Sequence, residues 1–349
     1  MTAIIAAACT FPSGPTLPLA DVAHRLQFSL IRKHPLHSDQ CGAPIRSCYF
    51  PDIASAPPIE RFQRLIQQVL LELMARMPEL KHTPPAGVTL LLPPLDRPGI
   101  TSSLKAAAKE AVVSSTSWSS TLVNVQHGGQ ASAVTMIQML NNRPTSEDTL
   151  RVLIAVDSWL LASSLKWLDD EQLLHGAHRN FQGNKRINPY GRVPSEGAAA
   201  LVLSSSPTKN TPSWCHIRGT GMGIENVLYS DKGVCLGKGL SYAALQALDT
   251  AKLFQPSHIV SDINGEPYRA DELGFTLSAL GSYFGNELVC ETPVLASGDL
   301  GCASLVTHIA LTAWHMHSSF LGDTLLLSSS DDGLRGAIAM SKNQGSLKC

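Results

Sequence analysis

The sequence lacks the cysteine pairs, charged runs and long apolar runs that mark several large classes of protein. Its eight cysteines are scattered and none forms a CxxC pair, the spacing that zinc and redox motifs need. Disulfide frameworks are typical of much shorter secreted chains, so we expect reduced thiols in a cytoplasmic protein. Only 16% of the residues are charged and the formal net charge is −1, so no overall field attracts nucleic acid or an anionic membrane. No run reaches the ~20 apolar residues of a membrane helix, so we expect neither a nucleic-acid partner nor a membrane.

Motifs for cofactors and metals are also missing. The sequence has no GxSxG elbow, no P-loop and no HExxH. The GTGMG stretch at 219–223 resembles part of a dinucleotide loop, but it follows a predicted strand without opening a helix. His308, His315 and His317 share one predicted helix with no carboxylate or cysteine at ligand spacing. We therefore expect no cofactor and no metal.

What the sequence does have is apolar material for a large core. Hydrophobic residues make up 44% of 349 residues, enough for one large α/β unit or two fused halves. The stretches 128–140 and 301–317 are apolar on nearly every side, which predicts two helices buried all round. Residues 150–159 are apolar without alternation, which predicts a central strand covered on both faces. The stretch 34–58, rich in proline and serine, predicts a loop.

The order of these elements predicts a layered α/β fold made of two similar halves. Each half has strands on both sides of one buried helix. Residues 197–205 and 215–224 indicate a pair of strands, and residues 323–341 indicate a closing hairpin. We place the halves at 1–175 and 176–349, joined near 165–195.

Five segments, taken in order, resemble the β-ketoacyl synthase branch of the thiolase superfamily. Each motif by itself departs from the family pattern. The resemblance is specific because all five motifs occur in the same order along the chain as in the family. The resemblance implies a five-layered αβαβα thiolase-like sandwich. The segments are NPYGRVPSEGAAALVLSS, RGTGMGIEN, DINGEPYRADELGFTLSALGSYFG, PVLASGDLGCASLVTHIALTAW and SSSDDGLRGAIAMS.

In that family a cysteine at the N-terminus of a buried helix carries the acyl group as a thioester. The segment HGGQASAV matches this frame with His127 in the cysteine's place, and an imidazole cannot hold a stable thioester. No cysteine occurs between Cys48 and Cys215, so sliding the frame does not restore one. A serine carrier such as Ser132 is expected inside the helix, away from its N-terminal dipole.

The two family histidines that stabilise the enolate or oxyanion are also replaced. The first position falls on Asn264, or on Glu266 in an alternative frame. The second falls on Gly298 or Asp299, and a carboxylate there opposes an oxyanion. We therefore expect no catalytic residues, with His127, Asn264, Glu266 and Asp299 as degenerate active-site positions.

Two interpretations of these polar residues stay open. His127, Asn264 and Asp299 converge in the family fold, and a His–Asp pair there would be a general base for another reaction, such as hydrolysis. Alternatively, they are remnants that line a closed or shallow pocket. Glu196 is expected to be structural, holding loops through buried hydrogen bonds.

The resemblance suggests a non-catalytic accessory protein that acts by protein–protein binding. The segment DINGEPYRADE resembles degenerate ketoacyl-synthase-like proteins encoded beside PAAR-like spike and adaptor proteins of type VI secretion, which implies an effector-loading or chaperone-like component. The alternatives are a chain-length-factor-like partner of an acyl-condensing synthase and a repurposed acyltransferase or hydrolase. The family also implies a homodimer, with residues 150–159 pairing across the two-fold axis, or a heterodimer with an active synthase subunit.

Overall fold

The computed structural model describes residues 2–141, 149–181, 183–205, 207, 212–231, 233–252, 255–285, 287–319 and 322–342. The strands of this part of the chain are β1 Thr2–Thr10, β2 Arg32–Ser38, β3 Pro44–Ser47, β4 Gly87–Leu92, β5 Val123–His127, β6 Leu150–Ser158, β7 His178–Phe181, β8 Asn184–Ile187, β9 Glu196–Ser204, β10 Cys215–Ile224, β11 His258–Ser261, β12 Val289–Glu291, β13 Thr324–Ser329 and β14 Leu334–Lys342. Its α-helices are α1 Leu17–Arg25, α2 Pro58–Arg76, α3 Ser102–Thr116, α4 Ser132–Asn141, α5 Ala162–Asp170, α6 Lys238–Ala251, α7 Pro267–Ala279, α8 Val294–Ser297 and α9 Ser304–Ser318.

Ten of the strands form one sheet in the order β12-β11-β13-β14-β10-β1-β9-β6-β4-β5. The two halves of this sheet are joined through a short antiparallel contact between β1 and β10 at Thr2–Ile4 and Cys215–Ile217. On either side of this contact lies a group of five strands. The sheet therefore divides naturally at the β1–β10 junction.

The two groups of five strands have the same topology. In each, the first strand in sequence pairs antiparallel with the fifth, and the fifth pairs antiparallel with the fourth. The fourth then pairs parallel with the second, and the second parallel with the third. Strand β9 belongs to the first group although it follows residue 176. The second group begins with β10, so the division between the groups of strands falls between β9 and β10. The boundary at 175 and 176 stays a prediction.

Helices cover both faces of each group and form the layers that the sequence predicts. Along β6, Val152, Ile154 and Val156 face α2 and α3, whereas Leu153 and Ala155 face the middle of the molecule. Helix α9 lies in that middle layer and packs against β1 and β9 of one group and β13 and β14 of the other. Helices α6 and α7 cover the outer face of the second group. Because successive side chains of a strand point to opposite faces, strands buried on both faces need apolar residues throughout. The layered α/β fold made of two similar groups of strands is confirmed.

The glycine-rich stretch that resembles a dinucleotide loop is a packing surface. Gly219, Gly221 and Gly223 lie on one face of β10, and a Cβ at each would overlap a backbone carbonyl of α6. Helix α6 therefore lies directly against the strand backbone. The motif serves this close approach.

Three local predictions were wrong. The predicted loop at 34–58 contains the antiparallel pair β2–β3, which packs away from the main sheet. The strands at 197–205 and 215–224 do not pair with each other, because β1 lies between β9 and β10. Helix α4 begins at Ser132, so this serine is at the helix N-terminus and not inside the helix.

The expected dimer strand is also in a different place. Strand β6, predicted to pair across a two-fold axis, is interior and pairs with both β4 and β9. Among the described strands, β5 is at one end of the sheet and β12 is at the other. A strand with both edges already bonded offers no backbone groups to a partner, so the available edge next to β4 is that of β5.

No helix among the described residues combines the length and the apolar character needed to cross a bilayer.

Candidate functional site

Two positions that the sequence assigns to lost histidines meet in the structure. Asn264 follows β11, and Asp299 follows α8. The Asn264 amide nitrogen donates to Asp299 Oδ2 at 2.8 Å. Both residues are buried, at 6% and 2% exposure. The fold thus brings these segments together, as the family resemblance implies.

The remaining hydrogen-bonding groups of this pair are occupied. Asp299 Oδ1 accepts from the Trp159 indole nitrogen at 3.2 Å and from the Gly301 backbone at 2.8 Å. Asn264 Oδ1 accepts from the Glu266 backbone at 3.3 Å. A buried carboxylate needs a hydrogen-bond donor for each oxygen, and both oxygens of Asp299 have one. This pair is therefore a satisfied structural unit.

Glu266, the alternative position, lies in a buried cluster of charged residues. Its Oε1 accepts from Arg192 at 2.7 and 2.9 Å, and its Oε2 accepts from Arg269 at 3.1 Å. Both arginines also reach Asp331, at 2.9 to 3.1 Å. Burial acts to raise the pKa of Asp331, but Arg192 and Arg269 more than offset it and hold that pKa below its ordinary value. The cluster ties the segment before β9 to the start of α7 and to the turn between β13 and β14.

His127 is the last residue of β5 and lies apart from this cluster. Its Nδ1 is 2.7 Å from the Pro93 carbonyl oxygen. A carbonyl only accepts, so Nδ1 carries a proton, and in the neutral form of the ring the lone pair lies on Nε2. That Nε2 is buried and has no hydrogen-bond partner among the described residues. The structure shows no hydrogen bond from His127 to Asn264 or Asp299, so the convergence considered from sequence joins only two of the three residues.

His127 lines a cavity of about 360 Å³ beside the edge strand β5, here called the edge cavity. Ser132, the first residue of α4, lines the same cavity. The other lining residues come from β4, β5, α4 and β6 and include Gly87, Thr89, Asn124, Gln126, Met136, Met139 and Arg151.

A second cavity of about 370 Å³, here called the inner cavity, lies at the ends of the strands of both groups. It is lined by Pro94, Asp96, Arg97, Pro98, Gly129, Gln130, Asp157, Trp159, Trp167, Tyr229, Gly301, Cys302, Asp331 and Asp332. These residues include the nucleophile segment after β5, the segment before α9 and the turn between β13 and β14. They are the segments that the family uses around its active site. Asn264 and Asp299 do not line it.

The cysteine that lines the inner cavity is not activated. Cys302 lies just before α9, and its thiol approaches the Val156 carbonyl oxygen at 3.4 Å. Burial, with Asp157 nearby, raises the pKa of this thiol well above its ordinary value. The thiolate is the nucleophile, so Cys302 is a packing residue.

One group of potential metal ligands exists among the described residues, formed by Glu225, Cys235 and Glu272. Its carboxylates are already engaged: Glu272 accepts from Arg335 at 2.5 Å and from Ser329 at 2.6 Å. Burial raises the pKa of Cys235. A cation would have to displace the arginine, so the donor set does not fit a metal.

Glu196, expected to be structural, is fully buried at the start of β9. It accepts from Arg61 of α2 at 2.5 Å, from the Phe50 backbone at 3.0 Å and from Ser158 at 3.2 Å. The sequence analysis missed the arginines Arg97, Arg192 and Arg269, which are isolated in sequence and acquire partners only through the fold.

No protein-family model matches the sequence, and no curated protein sequence matches it.

The fold is nevertheless shared with solved ketosynthases. One chain, described as a type II PKS acyl-carrier protein in complex with its ketosynthase bound to the hexaketide, is 13% identical with a TM-score of 0.74, over 98% of this chain and 99% of its own. The ketosynthase from module 6 of the bacillaene synthase of Bacillus subtilis is 15% identical with a TM-score of 0.72, over 99% of this chain and 72% of its own. The ishigamide ketosynthase/chain length factor is 13% identical with a TM-score of 0.70, over 98% of this chain and 99% of its own. At these identities the likeness establishes the ketosynthase-like fold.

Proposed function

We propose that this chain is a ketosynthase-fold protein without condensing activity, which acts by binding other proteins. The observation that carries the proposal is the buried Asn264–Asp299 pair. Both residues stand at positions where the family resemblance requires histidine. Their side chains form hydrogen bonds with each other, and Asp299 also accepts from Trp159 and from the Gly301 backbone. Neither side chain can stabilise an enolate or oxyanion, because the Asn264 amide already donates to Asp299 and a carboxylate repels a second negative charge.

The cysteine position supports the same proposal. His127 replaces the nucleophile, and the described chain between Cys48 and Cys215 offers no thiol to replace it. Cys302, which lines the inner cavity, is held as a thiol by burial. A scaffold that keeps the fold but not the acyl carrier retains its surfaces for binding.

The test is incubation of the full chain with malonyl- and acyl-thioesters, followed by intact-mass measurement. We expect no acyl adduct and no release of carbon dioxide from the malonyl thioester, with an active ketosynthase run in parallel as the positive control. An adduct that disappears in His127→Ala would overturn the proposal.

For the partner, we propose an effector-loading or chaperone-like role beside PAAR-like spike or adaptor proteins of type VI secretion, in the cytoplasm. The segment DINGEPYRADE carries this part through its resemblance to degenerate proteins of that kind. Affinity capture from the native host should recover a spike, adaptor or effector protein. Recovery of acyl-carrier protein and an active synthase in its place would redirect the proposal.

A chain-length-factor-like partner of a condensing synthase is the second candidate. The structural likeness to a ketosynthase/chain length factor over nearly all of both chains favours it. In that case the protein should form a heterodimer with an active synthase and change the length of its product. Mixing the two chains and measuring product length decides between the candidates.

Acyl chemistry on a serine is the third candidate, favoured by the edge cavity. There Nε2 of His127, which has no hydrogen-bond partner among the described residues, and the helix N-terminal Ser132 line one space. Ester or thioester hydrolysis that is lost in both His127→Ala and Ser132→Ala would support it. Thr135→Ser, in the same cavity, is the matched control.

A further inference from the structure

The charge on the wall of the inner cavity is strongly one-sided. Among the described residues, its wall carries the four carboxylates of Asp96, Asp157, Asp331 and Asp332 against the single guanidinium of Arg97. Arg97 is committed, because it donates to both oxygens of Asp157 at 2.5 and 3.0 Å. The other three carboxylates therefore set the sign of the field in the cavity.

The arginines behind the wall do not reverse that sign. Arg192 and Arg269 both bind Asp331, but they are shared with Glu266, and Arg192 also lies 3.7 Å from Asp299. The carboxylates of Glu266 and Asp299 thus balance the two positive charges of these arginines, and the carboxylate of Asp331 is an additional negative charge.

The two outer carboxylates at the mouth have no such partner. Asp96 and Asp332 are both exposed and form no ion pair with any described residue. Negative charge at the cavity therefore remains in excess.

Aromatic rings form another part of the wall. Trp159 and Trp167 are stacked, with ring centroids 6.2 Å apart and planes 9° apart. The guanidiniums of Arg97 and Arg192 already lie over Trp159, at 4.2 and 5.1 Å from its ring centroid. Trp167 and Tyr229 are half-buried and face the same cavity. Aromatic faces combined with carboxylates are the surroundings that attract ammonium and guanidinium groups.

One buried polar side chain at the cavity is left without a partner. Gln130 is 3% exposed and lines the cavity, and its Nε2 forms no hydrogen bond among the described residues. Leaving such a group unpaired costs free energy. An amide offers a donor to a carbonyl oxygen or, turned by half a rotation, an acceptor to a guanidinium. Gln130 is therefore an independent sign that a polar guest belongs here.

From these observations we propose that the inner cavity binds an organic cation of the guanidinium or ammonium type. The cavity volume lies within the roughly 300–1,000 Å³ range of small-molecule sites. The cation comes either from a free small molecule or from an arginine or lysine side chain presented by a partner protein. The inference goes beyond the proposed function, because it concerns the ligand class of one cavity and holds for any of the candidate partners.

Binding can be measured by titration calorimetry and by the fluorescence of Trp159 and Trp167. The probes are agmatine for the free-molecule source and an acetylated Gly-Gly-Arg-Gly-Gly amide for the presented side chain. The same peptide with citrulline in place of arginine removes the charge and keeps the shape. Pantetheine 4′-phosphate tests an anionic guest.

We expect saturable binding of at least one cation, weakened by added salt, and much weaker binding of the citrulline peptide and the phosphate. The double variant Asp96→Asn/Asp332→Asn should weaken cation binding by roughly tenfold, because it removes two exposed negative charges from the mouth of the cavity. Both residues are exposed and outside any ion pair among the described residues, and asparagine at 332 keeps an oxygen that can accept from the Leu334 backbone, so the variant should fold. Asp249→Asn, an exposed carboxylate on α6, is the matched control and should bind like the wild type.

Each outcome decides. Binding of agmatine alone assigns the site to a small molecule, and binding of the arginine peptide alone assigns it to a partner's side chain. Equal binding of the citrulline peptide, tighter binding of the phosphate, an unaffected double variant, or no saturable binding of either cation would overturn the proposal. None of these results depends on whether thioesters react with the chain. Failure of the cation-binding test would therefore leave the proposed function standing, and failure of the thioester test would leave the cation site standing.

Discussion

Asn264 donates its side-chain amide to the carboxylate of Asp299 over 2.8 Å, across 35 residues of sequence. The pair is buried, and Asp299 is also bonded by the indole of Trp159 and the backbone of Gly301. A neutral donor is what a buried carboxylate needs at this distance, because a second negative charge would be repelled and a missing donor would leave it unsatisfied. The pair thus stabilises the meeting point of the loop after β11 and the loop after α8.

Asn264→Asp is expected to destabilise the protein at neutral pH. The substitution places two carboxylates side by side in a buried site, where they cannot both be ionised without a cost of about 3–5 kcal/mol. Lowering the pH protonates one of them, so the deficit relative to the wild type should shrink as the pH falls from neutral toward about pH 4, the pKa of an aspartate in the unfolded chain. Denaturant unfolding at neutral pH and near pH 4 checks this prediction. Asn124→Asp, on the exposed edge strand β5, is the control. An equal deficit at all pH values would contradict the account.

His308, buried in α9, is expected to make the fold sensitive to mild acid. Burial, with His24 nearby, lowers its pKa from 6.5 to about 3, and neither ring nitrogen has a hydrogen-bond partner among the described residues. The unfolded chain therefore takes up the proton first as the pH falls. The stability that His308 contributes is present above about pH 6.5 and is lost progressively toward pH 3.

The matching measurement is urea unfolding of the wild type and His308→Leu at pH 7 and pH 5. The wild type should lose about 2 kcal/mol more unfolding free energy than the variant between these pH values. His82→Leu, at an exposed position, should follow the wild type. Parallel behaviour of His308→Leu and the wild type would show that this histidine does not control the acid response.

Gly221→Ala is expected to destabilise the protein, because the new methyl group would overlap the Ala243 carbonyl oxygen of α6. Separating α6 from β10 costs at least about 2 kcal/mol in a packed core. Gly274 in α7 is the matched control, because a Cβ there meets nothing within 4 Å. Gly274→Ala should be neutral or stabilising by up to about 1 kcal/mol. Thermal unfolding of both variants measures these effects. If Gly221→Ala is as stable as the wild type, the glycine stretch does not have this packing role.

Self-association through the edge strand β5 is expected if the chain forms the homodimer that the family resemblance implies. Asn124 and Gln126 are exposed on this edge strand, so Asn124→Lys/Gln126→Lys would bring like charges together across a two-fold axis. Sedimentation should show a dimer for the wild type and a monomer for this variant. Val289→Lys, on β12 at the opposite end of the sheet, should leave the dimer intact. A monomeric wild type at all concentrations would refute the homodimer.

The elements that the sequence predicted well are those whose composition leaves one option. Strands β1, β4 and β6 are apolar on both faces and α9 is apolar all round, so each had to be buried in a layered fold. The elements that it missed are short and polar. Strand β5 alternates buried Val123 with exposed Asn124 and is too short to stand out from its surroundings. The pair β2–β3 lies in a stretch whose proline content favoured a loop.

The candidate site divides in the same way. From the sequence came the prediction that His127 stands at the family's cysteine position and Asn264 and Asp299 at its histidine positions, since residue identity alone decides which side-chain groups are present. Only the tertiary structure decided that Asn264 and Asp299 bind each other while His127 faces another cavity. It alone also placed carboxylates from the turn after β4, from β6 and from the turn before β14 around one cavity lined by Trp159 and Trp167. These residues are far apart in sequence, and the contacts that give them a common field exist only after the strands have paired.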